Sequence, residues 1–327
     1  MCKQTAQVKF CPLSLVILLI SLSFQAQARL KLNEDLIHKS VFSVLSDGQL
    51  VGSGFIIDSK GYALTAAHLV DEEARSVDIV SRALGVTRAA VIGLDRGRDL
   101  ALVKLKKRDP PYPNLQFAKQ TLTLAQAVCV AGTVIYRHGL TLCGRIARLA
   151  IGYEYFPSLG HYIPVHYVAA NTPPGTSGGP WLNASGRIVG MQIGAMQQST
   201  DGAERLSGVS YMVPASQITP LLDARKSILR PTLGIGFEEV WELQHARAQH
   251  PDPFMGLVVA HLPANRPAAI PSLQVTDRIL KVDSLTLRYR DDLIAWIRSQ
   301  RVGQRVRVTV KRSDQSIRIH EAILQGI

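Results

Sequence analysis

Between Ser40 and Val213 the apolar residues come in short runs, each broken by Gly, Pro, Asn or Asp. The runs Val41–Leu45, Gly54–Ile57, Val77–Val80, Ala101–Leu105, Ala127–Ala131 and Ile188–Ile193 have strand length, and no long helical periodicity separates them. Closely spaced runs of this kind predict an all-β barrel or sandwich. Asp47-Gly48 between two of them is a hairpin signal. Composition agrees. With 327 residues, 46% hydrophobic, the chain can fill about two domain cores, which excludes a disordered protein. Four cysteines exclude a disulfide scaffold.

The first 28 residues stand apart. Lys3 and Lys9 precede an apolar run, Leu13 to Phe24, closed by Ala26-Gln27-Ala28. This order of basic, apolar and small-residue segments is that of a cleaved signal peptide, with a retained N-terminal membrane anchor as the alternative. The run is shorter than the ~20 residues that span a bilayer comfortably. Either reading places the rest of the chain outside the cytoplasm. Loss of the leader's two lysines lowers the formal charge from +12 to +10 and leaves Cys129 and Cys143. Those two cysteines either pair across a hairpin or stay as buried thiols.

After residue 214 the texture changes. Thr219-Pro220 reads as a helix start and Arg230-Pro231 as its end, giving a linker helix over 215–230. Beyond it, strand-like runs at Gly256–Ala260 and Val306–Val310 flank a helical segment at Asp291–Ser299. The expected organisation is a leader over 1–28, a β domain over 29–214, the linker and a second domain over 231–327.

Three motifs in the β domain carry chemistry: Thr65-Ala66-Ala67-His68, Arg98-Asp99-Leu100-Ala101 and Gly175-Thr176-Ser177-Gly178-Gly179-Pro180. A serine hydroxyl is a poor nucleophile at neutral pH. It needs a base to take its proton and an acid to hold that base in the right tautomer. His68 and Asp99 suit those roles for Ser177. The flanking glycines let substrate approach and leave N–H groups for a tetrahedral oxyanion, with Gly175, Thr176 and Ser177 forming the hole. Each residue alone has an ordinary structural explanation; the ordered set of three, behind a leader, points to catalysis. This chemistry calls for no metal or cofactor.

The stretches GSGFIID, GYALTAAHLV, GRDLALVKL, PPGTSGGPWLNASGRIVGMQIG and SGVSYMVPASQI resemble the HtrA/Deg serine proteases over roughly residues 36–325. The resemblance implies a mainly β fold, a chymotrypsin-like double β-barrel followed by a C-terminal PDZ domain built as a β-sandwich with short helices. It implies His68 as general base, Asp99 as its orienting partner and Ser177 as nucleophile. It makes Leu233-Gly234-Ile235-Gly236 the loop that captures a peptide's C-terminal carboxylate, with Pro263 and Ala268-Ala269 in a short helix. By analogy Asn171, Met191 and Ile193 line an uncharged specificity pocket. The implied activity is a periplasmic endopeptidase acting on unfolded, mislocalised or regulatory proteins, its PDZ domain binding C-terminal peptides. Homotrimers, with Leu30–Phe42 in the contact, are also implied. A catalytically silent chaperone module of the same fold is the alternative, and the intact His68, Asp99 and Ser177 argue against it.

The chain departs from the family at several points. Thr176 stands before the nucleophile where Asn is usual, Thr172-Pro173-Pro174 replaces Ile-Asn-Pro, and Gly132–Arg137 replaces the usual G-N-P-F-G loop. Val44 to Gly52 leaves no room for a long inhibitory loop, which favours the compact, one-PDZ type.

Arg301, Arg305, Arg307, Lys311, Arg312 and Arg318 alternate in part with valines, as on the wet face of a half-buried strand rather than a nucleic-acid surface. Membrane association is expected only through the N-terminal segment. His138, His161 and His166 lack accompanying ligands at metal spacing and read as surface loop residues.

Overall fold

The computed structural model describes residues 32–327 apart from 72, 136, 201–202, 241–254 and 263–268. The expected leader and most of the expected short helix near Pro263 lie outside the described residues.

A short helix, α1 (Glu34–Ser40), opens the described chain. Asn33 caps it by accepting the Leu36 N–H at 3.0 Å, and Glu34 and Asp35 favour its positive end. Six antiparallel strands then close a first barrel: β1 (Val41–Ser46), β2 (Gln49–Ile56), β3 (Tyr62–Ala66), β4 (Ser76–Ser81), β5 (Gly85–Asp95) and β6 (Leu100–Lys104). The Asp47-Gly48 turn joins β1 to β2 with φ of 49° and 76°, the left-handed pair that a tight hairpin requires.

A second closed barrel follows: β7 (Ala127–Val134), β8 (Arg137–Phe156), β9 (His161–Ala169), β10 (Pro180–Leu182), β11 (Ile188–Thr200) and β12 (Ala203–Pro214). The β7–β8 hairpin sets Cys129 opposite Cys143, and the two are joined by a disulfide. Phe55, Leu64, Leu100 and Leu102 from the first barrel and Ile163, Val165, Met191 and Val213 from the second form one buried cluster where the barrels meet. Both barrels therefore turn loops toward a shared cleft.

Helix α2 spans Ala215–Ala224, with Pro220 inside it and Arg225 ending it at φ 49°. Thr219-Pro220 therefore lies inside the helix rather than at its start, and the helix ends at Ala224 rather than at Arg230. Burial decides the start: Ile218 and Leu221, both fully buried, form an (i, i+3) apolar face that outweighs the cost of an interior proline. Residues 226–230 are not helical and pass beside β5, where the Ile228 N–H donates to the Leu94 carbonyl at 2.8 Å.

The C-terminal unit is a sheet in the order β14 (Gly236–Glu239), β15 (Leu257–His261), β16 (Arg278–Val282), β18 (Arg305–Lys311) and β19 (Ile317–Ile323). β17 (Leu285–Thr286) pairs with β16, and β13 (Pro231–Thr232) pairs with β20 (Gln325–Gly326). Helix α3 (Arg290–Ser299) packs Leu293, Ile294 and Ile297 on the core of this unit. β18 alternates as its sequence predicts, Val306, Val308 and Val310 inward and Arg305 and Arg307 outward.

Candidate active site and peptide groove

The structure brings His68, Asp99 and Ser177 to the cleft between the barrels. Asp99 follows the turn Arg96–Arg98 and adopts the left-handed conformation at φ 56°, unusual for a non-glycine residue. Its carboxylate is buried at 1% exposure and accepts two bonds from one residue. His68 Nδ1 lies 2.7 Å from Oδ2, and the His68 backbone N–H donates to Oδ1 at 2.8 Å. The Ala67 N–H donates to the Asp99 carbonyl at 3.1 Å. A carboxylate only accepts, so Nδ1 carries the proton and Nε2 keeps a lone pair for substrate chemistry. Burial pulls the His68 pKa down, but the charge of Asp99 and its hydrogen bond outweigh that and hold it above the ordinary histidine value.

Ser177 sits on the loop entering β10. Its hydroxyl donates to the Ile193 carbonyl at 3.3 Å, a long bond, and makes none to His68. Backbone donors in the loop divide cleanly. Thr176 donates its N–H to the Pro173 carbonyl, Gly178 to Gln192 and Gly179 to Thr176. The N–H groups of Gly175 and Ser177 have no partner among the described residues. Thr176 is therefore not an oxyanion donor here: both its N–H and its hydroxyl are turned onto Pro173. Gly175 and Ser177 supply the two open donors, as a tetrahedral oxyanion needs. Glycine is required at 175 (φ 93°) and 178 (φ 84°), where a Cβ would lie 2.6 Å from the Thr133 carbonyl and 2.0 Å from the Ser53 carbonyl.

Sequence reasoning missed what holds this loop. Ser53, fully buried on β2, donates its hydroxyl to the Gly175 carbonyl and accepts the Thr133 N–H, each at 2.8 Å. Its own N–H donates to the Ser177 carbonyl at 2.8 Å. The Pro174 carbonyl accepts from the Ile135 N–H at 3.1 Å. Because a peptide's C=O and N–H point opposite ways, this bond fixes where the Gly175 N–H points. Gln192 completes the frame, accepting from Trp181 Nε1 at 2.9 Å and donating to Thr172 Oγ1 at 2.8 Å.

The expected pocket residues separate. Asn171 is exposed at the rim, with its Oδ1 3.9 Å from where a Cβ on Gly208 would sit. Met191 and Ile193 on β11 lie in the barrel core, 0% and 2% exposed, and the Ile193 carbonyl accepts from the Ser177 hydroxyl. His161 is also not a surface residue; it is 3% exposed at the start of β9. His138 is exposed, with Nδ1 2.7 Å from the buried Ser43 hydroxyl. Among the described residues no three His, Cys, Asp or Glu gather as a metal site.

In the C-terminal unit Leu233 and Ile235 are buried and Gly234 has φ 66°. The Gly234 N–H is taken by the Thr232 hydroxyl at 3.0 Å, whereas those of Leu233 and Ile235 have no partner among the described residues. The loop runs directly into β14, the edge strand of the sheet. That edge is engaged. Tyr162, from the start of β9, accepts the Phe237 N–H at 2.5 Å and donates to the Phe237 carbonyl at 2.9 Å. Its ring stacks on Phe237 with centroids 6.5 Å apart, and it is 3% exposed. One phenol of the protease unit thus occupies both backbone groups that Phe237 would offer to a strand added at this edge.

A trypsin-like peptidase domain model matches residues 52–191, and a PDZ domain model matches residues 231–320. The serine endoprotease DegS of Salmonella typhimurium is 26% identical over 278 residues, spanning 82% of this chain and 74% of its own. A probable periplasmic serine endoprotease, DegP-like, of Pseudomonas fluorescens is 29% identical over 273 residues, spanning 81% of this chain and 54% of its own. The chain thus covers about three quarters of the first and about half of the second. Among solved structures, the HtrA-type protease AlgW with tripeptide superposes with a TM-score of 0.59 at 20% identity, covering 90% of this chain and 97% of that one. The serine endoprotease from Yersinia pestis gives 0.57 at 19% identity, covering 90% and 98%.

Proposed function

The chain belongs to the HtrA/Deg serine endoproteases, here a trypsin-like peptidase domain with one PDZ domain, and we propose that it hydrolyses unfolded or mislocalised envelope proteins through an acyl-enzyme on Ser177. The observation that carries this reading is the buried Asp99 carboxylate holding His68 Nδ1 at 2.7 Å, beside a serine whose loop keeps two N–H donors open.

In the proposed sequence of steps, the Ser177 hydroxyl leaves Ile193 and turns to His68 Nε2. As Oγ attacks the scissile carbonyl, Nε2 takes its proton, and the carbonyl oxygen becomes an anion facing the N–H groups of Gly175 and Ser177. Asp99 offsets the charge on the imidazolium. Collapse of the intermediate returns that proton to the leaving amine, and water repeats the cycle on the acyl-enzyme. Each oxyanion donor contributes ~3–4 kcal/mol in enzymes of this chemistry.

The PDZ domain would bind free C-terminal peptides at the Leu233–Gly236 loop and along β14. Since Tyr162 holds that edge, peptide binding and this contact between the domains exclude one another, which makes the PDZ domain a regulatory element as well as a docking site. A periplasmic location is supported by the leader-like 1–28 segment and by the periplasmic naming of the DegP-like relative. Trimerisation through the segment around Leu30–Phe42 is part of the proposal, and sedimentation velocity of the mature chain tests it. The test of function is cleavage of casein: Ser177→Ala abolishes it while the fold is retained, and undiminished cleavage would refute the assignment.

A further inference from the structure

Charge is unbalanced where the protease barrels meet the PDZ domain. A cavity of about 220 Å³ opens there, lined by Gly97, Arg98 and Tyr153 on one side and by Arg230 and Arg298 on the other. Three guanidiniums share one carboxylate, that of the fully buried Asp95. Arg230 takes most of it, with Nε and Nη2 at 3.0 and 2.7 Å from Oδ2. Arg98 comes only to 3.6 Å, and its buried Nη1 makes no hydrogen bond. Arg298 gives Nη1 to the Pro231 carbonyl and Nη2 to the carbonyls of Tyr162 and Gly97, while its buried Nε has no acceptor. The neighbouring acid Asp291 is engaged elsewhere, by Arg148 at 3.0 Å and by the Tyr153 N–H at 3.1 Å.

Buried guanidiniums without acceptors are costly, and the cost is lifted when an anion reaches them. The local balance agrees. Burial, then the like charges of Arg230 and Arg98 working against Asp95, bring Arg298 down to about 10. Arg98 is lowered by burial, with Asp95 opposing and Arg230 adding to the shift.

We propose that this cavity binds a small oxyanion of the phosphate or sulfate class, whose charge offsets the guanidiniums of Arg98 and Arg298, which line it and carry buried N–H groups without an acceptor. Guanidinium forks match such oxygens in geometry as well as charge. Arg98 immediately precedes Asp99 in sequence, and Arg298 lies on α3 of the PDZ domain. The anion would therefore fasten the PDZ domain to the turn that presents the buried acid. This cavity is distinct from the active site and the peptide groove.

Thermal unfolding of the full chain, first exchanged into chloride buffer, tests it with inorganic phosphate and sulfate titrated at constant ionic strength. The expected result is a saturable rise in Tm that added chloride does not reproduce. Arg98→Gln should weaken the apparent phosphate affinity by about tenfold or more, the loss expected for one charge-assisted bond. In chloride alone Arg98→Gln should be at least as stable as the parent, since it removes an unsatisfied charge from a repulsive cluster. Three results would each overturn the proposal: no saturable response in the parent, an unchanged phosphate response in Arg98→Gln, or a lowered Tm of that variant in chloride.

Discussion

Replacing Tyr162 with Phe removes one oxygen atom from the contact between β9 and β14 and leaves the ring stacked on Phe237. That oxygen makes two hydrogen bonds, both to the Phe237 backbone. At ~0.5–1.5 kcal/mol net for each, their loss weakens the closed arrangement by about 1–3 kcal/mol. The Phe237 N–H and carbonyl are also left without partners in a buried setting, which pushes in the same direction. A groove that is mostly closed binds peptide with its intrinsic affinity divided by the fraction open. Weakening the closed form by 1–3 kcal/mol therefore tightens apparent peptide binding by roughly 5- to 150-fold. The assay is fluorescence anisotropy with labelled decapeptides bearing free carboxylates and ending in Ala, Val, Leu, Ile or Phe. A Ser177→Ala background prevents their cleavage. Equal or weaker binding by Tyr162→Phe would refute the argument that the phenol competes with peptide for the strand edge. Binding by neither protein would refute the groove itself.

Three other perturbations probe separate parts of the account. The His68 pKa lies above its ordinary value because of Asp99, so kcat/KM should rise with pH through an apparent pKa above 6.5 as His68 loses its proton; Asp99→Asn should shift this limb downward and cut kcat by ~10⁴-fold, measured on a fluorogenic peptide. By linkage, the same raised pKa means that the His68–Asp99 contact contributes stability below the unfolded histidine value and loses it as pH rises through the folded one. Asp95→Asn leaves Arg98, Arg230 and Arg298 without their carboxylate and should cost about 3–5 kcal/mol in chemical denaturation; a change below 1 kcal/mol would contradict the buried-pair assignment. Ser53→Ala unpairs the Gly175 carbonyl and the Thr133 N–H, so kcat should fall about tenfold with KM nearly unchanged in steady-state kinetics.

Much of the molecule was legible in its sequence because the signals are local. The β1–β2 hairpin follows from Asp47-Gly48, the β18 alternation from Arg305 to Lys311, and the candidate triad from residue types that few structural roles demand together. What the sequence concealed arises from contacts between distant segments. Ser53 and Gly175 are 122 residues apart, and Tyr162 and Phe237 are 75 apart. Nothing near Ser53 or Tyr162 announces the partner. The start of α2 was misplaced because tertiary burial of Ile218 and Leu221 outweighed the local meaning of Thr219-Pro220. The depth of Met191 and Ile193 was not legible either, because it is set by the parity of β11 within the closed barrel.

The proposed activity rests on Ser177 as the nucleophile activated by His68 and Asp99. Its most direct test is reaction of the mature protein with a fluorophosphonate, with C-terminal peptides present, followed by intact-mass and peptide mass spectrometry. The expected result is a single adduct, on Ser177, abolished by Ser177→Ala and strongly slowed by Asp99→Asn. An adduct on another residue, or casein cleavage that persists in Ser177→Ala, would contradict it.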